Sequence, residues 1–251
     1  MPSPRASSAL YAIGDIHGRI DLLDLALEAI AAHARGYARI VTLGDYVDRG
    51  PGSRRVVERL MALGAAGACL CLKGNHEALM LDSLWGRDAR AFDHWLANGG
   101  GETLASYGAR AEDRKSALAV VPEAHLRWME RLPLTTADAH RVYVHAGLAP
   151  GVPLENQGEA ACLWIREAFL RAGPGEFSAH VVHGHTPLWA EKRDAARPER
   201  LSHRTNLDTG AFATGVLSVG VFDPATPGGP VEILEARGPP AAWIPRAPRR
   251  T

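Results

Sequence analysis

Three short apolar runs near the start of the chain each break off into a glycine followed by titratable residues, and no other feature narrows the fold as much. LYAI (10–13) runs into GDIHG, RIVTL (39–43) into GDYVDRG, and ACLCL (68–72) into a lysine and then GNHE. Between them lie IDLLDLALEAIAAH (20–33) and SRRVVERLMAL (53–63), with apolar positions at helical spacing. Ser53 is placed to cap the second helix. This β-α-β-α-β order predicts a layered α/β fold built on a parallel sheet. Successive parallel strands end at one edge, and ligands bind in the crevice outside those carboxyl ends. Polar clusters about 30 residues apart in sequence are therefore expected in one place.

Residues 76–131 read as mostly helical, 134–147 as a hairpin of strands and 158–171 as a further helix. From His180 to about Glu235 the pattern is strands and turns, including HVVHG, RLSHRTNLDTG and GVLSVGVF. The expectation is two sheets packed together with helices outside, in one domain over 1–236. A helical, cap-like insert spans 82–130, and a Pro/Arg-rich tail, read as a loosely held extension, covers 237–251. With 251 residues, 46% of them hydrophobic, the chain can bury one large core.

Lys plus Arg and Asp plus Glu balance at 28 each, so neither nucleic acid nor an anionic membrane is expected as a partner. MPSPRASSAL has no apolar signal core, and no uncharged run reaches the ~18 residues of a membrane span. The cysteines are three, Cys69, Cys71 and Cys162. An odd, small number fits a reducing cytoplasm. Cys69 and Cys71 share a strand face and are expected to be buried small hydrophobes rather than a zinc site.

Two more polar clusters follow strand-like runs: VHAG, with His145, and VVHGHTP, with His183 and His185. Alone, each cluster has a bland reading, as a turn, a cap or a core histidine. Together, five strand ends carrying Asp, Asn or His beside glycine point to a shared metal site. Asp15, His17, Asp45, Asn75, His145 and His185 are too many donors for one ion and enough for two with a shared bridge. No thiolate is among them, and the set is nitrogen-rich, which suits Mn, with Fe or Zn as alternatives, better than copper or calcium. Two divalent ions over two aspartates leave the centre net positive, suited to a phosphate. Arg49 has the planar fork that grips phosphate oxygens in pairs. Arg166, in LWIRE, is a second candidate, its alternative being a solvated helix residue.

GDIHG, GDYVDRG, GNHE, HAG and GHT, in this order over roughly residues 10–190, resemble the phosphoprotein phosphatase family of the calcineurin-like metallophosphoesterases. WLANGGGETLASYG, LWIREAFL and NLDTGAFATG are similar to stretches of its compact bacterial members. The resemblance implies a β-sandwich flanked by helices. It implies that Asp15 and His17 bind a first ion, Asp45 bridges, and Asn75, His145 and His185 bind a second. It makes His76 the general acid, Asp48 its orienting partner, and Arg49 and Arg166 the phosphate-binding arms. His183 has no role in it and is read either as a support behind the ligands or as structural. The insert 82–130 is assigned to substrate selection, the alternative being packing alone.

The expected activity is two-metal hydrolysis of phosphoserine and phosphothreonine in proteins, with phosphotyrosine as a further substrate, through a metal-bound hydroxide. Symmetrical diadenosine tetraphosphate hydrolysis is the alternative reaction, and a non-catalytic phosphopeptide-binding module the alternative of another class. Phosphopeptides are preferred here because Arg19, Arg54, Arg55, Lys73, Arg87, Arg90, Arg110, Arg114 and Lys115 are scattered among acids. No dense block is evident that would hold a tetraphosphate.

Overall fold

The computed structural model describes residues 9–34, 36–88, 90–109, 113–188 and 196–241. Strands β1 (Leu10–Ile13), β2 (Arg39–Thr42) and β3 (Cys69–Cys71) are parallel, linked by α1 (Ile20–Ala34) and α2 (Ser53–Ala65). The sheet is completed by β9 (Val216–Phe222) and β10 (Glu232–Arg237), both joined antiparallel, in the order β10-β9-β1-β2-β3. A second sheet has the order β4-β5-β6-β8-β7. Its strands are β4 (Thr135–Ala137), β5 (Arg141–Val144), β6 (His180–His183), β7 (Glu199–Arg200) and β8 (Arg204–Asn206). The expected hairpin is β4 against β5, and β5, β6 and β8 run parallel.

The alternation along β1 shows how the layers form. Leu10 and Ala12 point between the sheets, where they meet Tyr143, Val182, Leu207 and Phe222. Tyr11 and Ile13 point the other way, into the core shared with α1 and α2. Both faces are covered, so the run is continuously apolar. α1 buries Leu22, Leu23, Ala26 and Ile30 as one stripe against this sheet. The outer face of the second sheet is covered by Cys162 of α8 (Glu159–Trp164) and Phe169 of α9 (Glu167–Leu170).

Several boundaries differ from expectation. Ser53 is the first residue of α2, whose cap is Gly52 without a side-chain bond. Its hydroxyl is turned to Asp48 instead. Residues 158–171 are two short helices, because Ile165 goes extended (φ −61°, ψ 140°) and ends α8. α3 (Asn75–Trp85) leads into the insert, which holds α4 (Arg90–Trp95), α5 (Gly101–Ser106), α6 (Arg114–Val120) and α7 (Glu123–Glu130), with a π-helical turn at Leu96–Gly100. The start of the tail is held rather than loose. Arg19 donates to Pro239 O at 2.7 Å, and Ala241 N–H to Phe212 O at 2.7 Å. Residues 242–251 of the tail lie outside the described residues. No helix among the described residues is long and apolar enough to cross a membrane.

Candidate active site

The loops after β1, β2, β3, β5, β6 and β8 meet over the carboxyl ends of both sheets. Gly184 N–H donates to His145 O (2.8 Å) and Leu207 N–H to His183 O (2.8 Å). A Cβ on Gly14 would stand 2.2 Å from Leu207 O, so only glycine allows this approach of the two sheets. Among the described residues, five non-glycine residues have positive φ: His17, Asp45, Asp48, Arg49 and His185. All five are residues singled out above. Backbone strain of this kind costs roughly 1–3 kcal/mol per residue and persists only where the surroundings over-determine it.

Asp45 is the hub. His17 Nε2 lies 3.4 Å from its Oδ2, and His145 Nε2 lies 3.3 Å from its Oδ1. Two groups of potential ligand atoms, each within 4.8 Å, share it: His17, Asp45 and His76, and Asp45, His145 and His185. Asp15 Oδ2 accepts the backbone N–H of His185 at 3.0 Å, while its buried Oδ1 has no protein partner. A Cβ at position 184 would fall 2.0 Å from that Oδ1, so glycine there leaves Asp15 its place. Asn75 Oδ1 is 2.8 Å from both His145 Nε2 and His185 Nδ1. All six predicted ligands are buried.

The donor set fits two divalent cations. His17 donates Nδ1–H to Val47 O (3.0 Å) and His145 donates Nδ1–H to Leu43 O (2.9 Å). Each ring is thereby fixed with its Nε2 lone pair facing inward. In His145 that lone pair faces the amide oxygen of Asn75, a second acceptor, across 2.8 Å. Two acceptors so placed repel unless a cation lies between them.

His76 sits at the first turn of α3 with Nδ1 2.7 Å from Asp48 Oδ2. Its Nε2 faces the hub, 3.9 Å from Asp45 Oδ2. Asp48 is gripped from the insert. Trp95 Nε1–H donates to both its oxygens (3.0 and 3.1 Å), and the Thr103 hydroxyl donates to Oδ1 (2.7 Å). The Asp48 N–H is shared between Thr103 Oγ1 (2.8 Å) and Ser53 Oγ (3.1 Å). The described part of the insert thus supports the site from behind, through Asp48, and is more than packing. Its glycines follow from this contact. Gly99, at φ 106°, accepts Arg49 N–H at 3.2 Å, and a Cβ there would stand 2.6 Å from that nitrogen.

Arg49 reaches His17 Nε2 at 2.7 Å and lies 4.9 Å from the Phe212 ring centre. Arg166, where the chain bends between α8 and α9, donates to His185 O (3.2 Å) and Thr186 Oγ1 (2.8 Å). It is exposed, which leaves it able to reach a ligand. His183 bonds its own loop through Gly184 O (3.0 Å) and packs on Phe169, as a structural residue would.

Burial dominates the electrostatics. It pushes Asp45 up to about 6, against the His76 N–H, Arg49 and Arg166. It pushes His145 down to about 4. His76 is also lowered, by burial first and then by Arg49 and neighbouring histidines. Burial and Arg49 hold it low even with the Asp48 carboxylate 2.7 Å from its Nδ1. Neutral imidazoles beside reluctant carboxylates await positive charge.

Sequence reasoning missed four residues. Glu77 accepts N–H groups from Gly74 (2.9 Å), Asp45 (2.9 Å) and Tyr46 (2.8 Å), tying the second loop to α3. Asp208 is buried, accepts Gly210 N–H at 2.8 Å, and is raised to about 6 by burial with Asp45 adding to the effect. Trp95 and Thr103 are the others. All four lie in motifs quoted above, but which group each would touch is a matter of tertiary contact.

Residues 9–208 match the calcineurin-like phosphoesterase family. The chain belongs to that family. A curated relative from Chromohalobacter salexigens, a symmetrical bis(5'-nucleosyl)-tetraphosphatase, is 31% identical over 186 residues, covering 72% of this chain and 60% of the relative. The chain thus spans well under two thirds of that relative's length. Among solved structures, a candidate diadenosine tetraphosphatase matches with TM-score 0.63 and 23% identity over 94% of this chain and 96% of the other. A protein serine/threonine phosphatase from Saccharomyces cerevisiae matches with TM-score 0.58 and 17% identity over 96% and 83%. The Asp/His clusters of this calcineurin-like phosphoesterase fit a dinuclear divalent site. The curated relative bears the name of the alternative reaction, and the likeness to the protein phosphatase is one of fold.

Proposed function

We propose that the protein hydrolyses dinucleoside tetraphosphates symmetrically, the alternative reaction above, rather than phosphoproteins. The reaction class rests on the two ligand groups sharing Asp45. The substrate rests on one observation, the 31% identity to a symmetrical bis(5'-nucleosyl)-tetraphosphatase. A dense basic block is not required for that substrate. A tetraphosphate carries about four negative charges, and two divalent ions with Arg49 and Arg166 offset them without a dense basic block. Several of the scattered basic residues have local partners instead. Arg19 is paired with Asp21, Arg54 with Glu58 and Arg90 with Asp88, while Arg110 lies outside the described residues.

Asp15, His17, Asp45, Asn75, His145 and His185 would hold the ions, with Mn the expected identity. When bound, such ions polarise phosphoryl oxygens and lower the pKa of water. Arg49 and Arg166 orient the phosphate. His76, held by Asp48 through Nδ1, presents Nε2 to the oxygen that leaves. Water adds to phosphorus, the P–O–P bond breaks, and two nucleoside diphosphates result. A panel assay of manganese-loaded protein tests this. Diadenosine tetraphosphate should give ADP with kcat/KM at least ~10-fold above that of phosphoserine or phosphotyrosine peptides. Faster turnover of any peptide in the panel overturns the reading.

A further inference from the structure

Trp164 is the only exposed tryptophan among the described residues, with 43% of its surface open. Helix phase explains why it is left out of the core. Cys162 and Leu163 are the buried residues of α8, and the chain bends away at Ile165. It is nonetheless placed against the site. Its ring centre is 6.5 Å from that of His185, the planes at 87°. Two residues on, Arg166 is bonded to the His185 carbonyl and Thr186. The base of this helix is tied to the metal side as well, since Glu159 pairs with Lys73 (3.6 Å), two residues before Asn75. The indole is therefore a flat apolar surface held at the rim, beside a proposed phosphate arm and a proposed ligand.

A serine or threonine phosphate offers such a surface nothing planar. A nucleotide does, since every base has a π-face, and stacking on an aromatic side chain stabilises it with little dependence on sequence. We propose that Trp164 is the nucleobase platform of this site, receiving one base of the substrate while its phosphates reach Arg166 and the metal centre. The proposal rests on the dinucleoside reading above. It makes Trp164 a specificity-determining residue, acting on binding of the nucleoside rather than on the reacting phosphorus.

The test compares ADP with pyrophosphate, the same diphosphate without the nucleoside, by isothermal titration of the manganese-loaded protein. Wild type should prefer ADP. Trp164→Ala should lose about tenfold or more of that preference, and Trp164→Phe, which keeps an aromatic face, should recover most of it. Circular dichroism and melting of each variant report folding. Equal weakening of both ligands, or no change in either, overturns the platform. So does a phosphoserine peptide whose affinity falls as steeply as that of ADP. A wild-type protein that shows the Trp164-dependent ADP preference yet does not cleave diadenosine tetraphosphate supports the platform and overturns the substrate reading. Cleavage with no such preference does the reverse.

Discussion

Thr103→Val keeps the shape of a side chain and removes one hydroxyl, and the structure says what that should do. Thr103 is fully buried. Its hydroxyl donates to Asp48 Oδ1 at 2.7 Å and accepts the Asp48 N–H at 2.8 Å. Valine leaves Oδ1 with Trp95 as its side-chain donor and the N–H with Ser53 alone. A hydrogen bond to a charged group contributes about 1.5–3 kcal/mol, and water cannot replace it at a sealed position. The loss should be about 2–3 kcal/mol, lowering Tm by roughly 5–10 °C for a chain this long. The functional effect passes through the 2.7 Å contact of Asp48 with His76. With His76 less firmly aimed, kcat should fall about tenfold on phenyl phosphate, a poor leaving group. It should fall less on p-nitrophenyl phosphate, whose leaving group needs little protonation. Thr103→Ser keeps the hydroxyl and should lose only about 0.8 kcal/mol for the missing methyl. Calorimetry and steady-state kinetics in manganese measure both effects. Because the residues act in series, Thr103→Val combined with His76→Asn should be no slower than His76→Asn alone. A valine variant with wild-type Tm and wild-type kcat on both esters would refute the reasoning, and fully additive losses in the double variant would break the proposed link.

His76→Asn should lose about 10²- to 10⁴-fold in kcat on phenyl phosphate but much less on diadenosine tetraphosphate, whose ADP leaves as a stabilised anion; equal losses on the two substrates would contradict its role as acid. Manganese should raise the Tm of metal-free protein more at pH 7.5 than at pH 5. The Asp45 carboxyl, raised to about 6 by burial, must shed its proton to bind below that pH. Each pH unit below costs about 1.4 kcal/mol of binding per such group. In the metal-free protein the same raised pKa gives a contribution that is present below about pH 4 and is lost as pH rises through about 6, so the ion restores what deprotonation removes. An increment independent of pH, or one retained in Asp45→Asn, would count against the shared carboxylate.

The sequence alone determined the frame and the grouping of the candidate ligands. Apolar runs ending in Gly-Asp and Gly-Asn, with helical periodicity between them, are local signals, and parallel strands must end at one edge. So Asp15, Asp45 and Asn75 could be grouped before any coordinates, and the later histidines joined them by the same logic. The limits were equally physical. Ser53 reads as a cap because serine caps helices, but its hydroxyl is claimed by Asp48, 5 residues earlier in sequence. The run 158–171 reads as one helix because periodicity does not register the extended Ile165 that turns out Arg166 and leaves Trp164 at the rim. Charge counting along the chain cannot see that Arg49 and Arg166 stand beside the ligand groups while Arg19, Arg54 and Arg90 pair with nearby acids. Which groups hold Asp48 was decided by Trp95 and Thr103, separated from it by 47 and 55 residues. Such contacts follow from how the insert folds back over the sheet edge, and that depends on packing of the whole domain rather than on any pattern within a window of sequence.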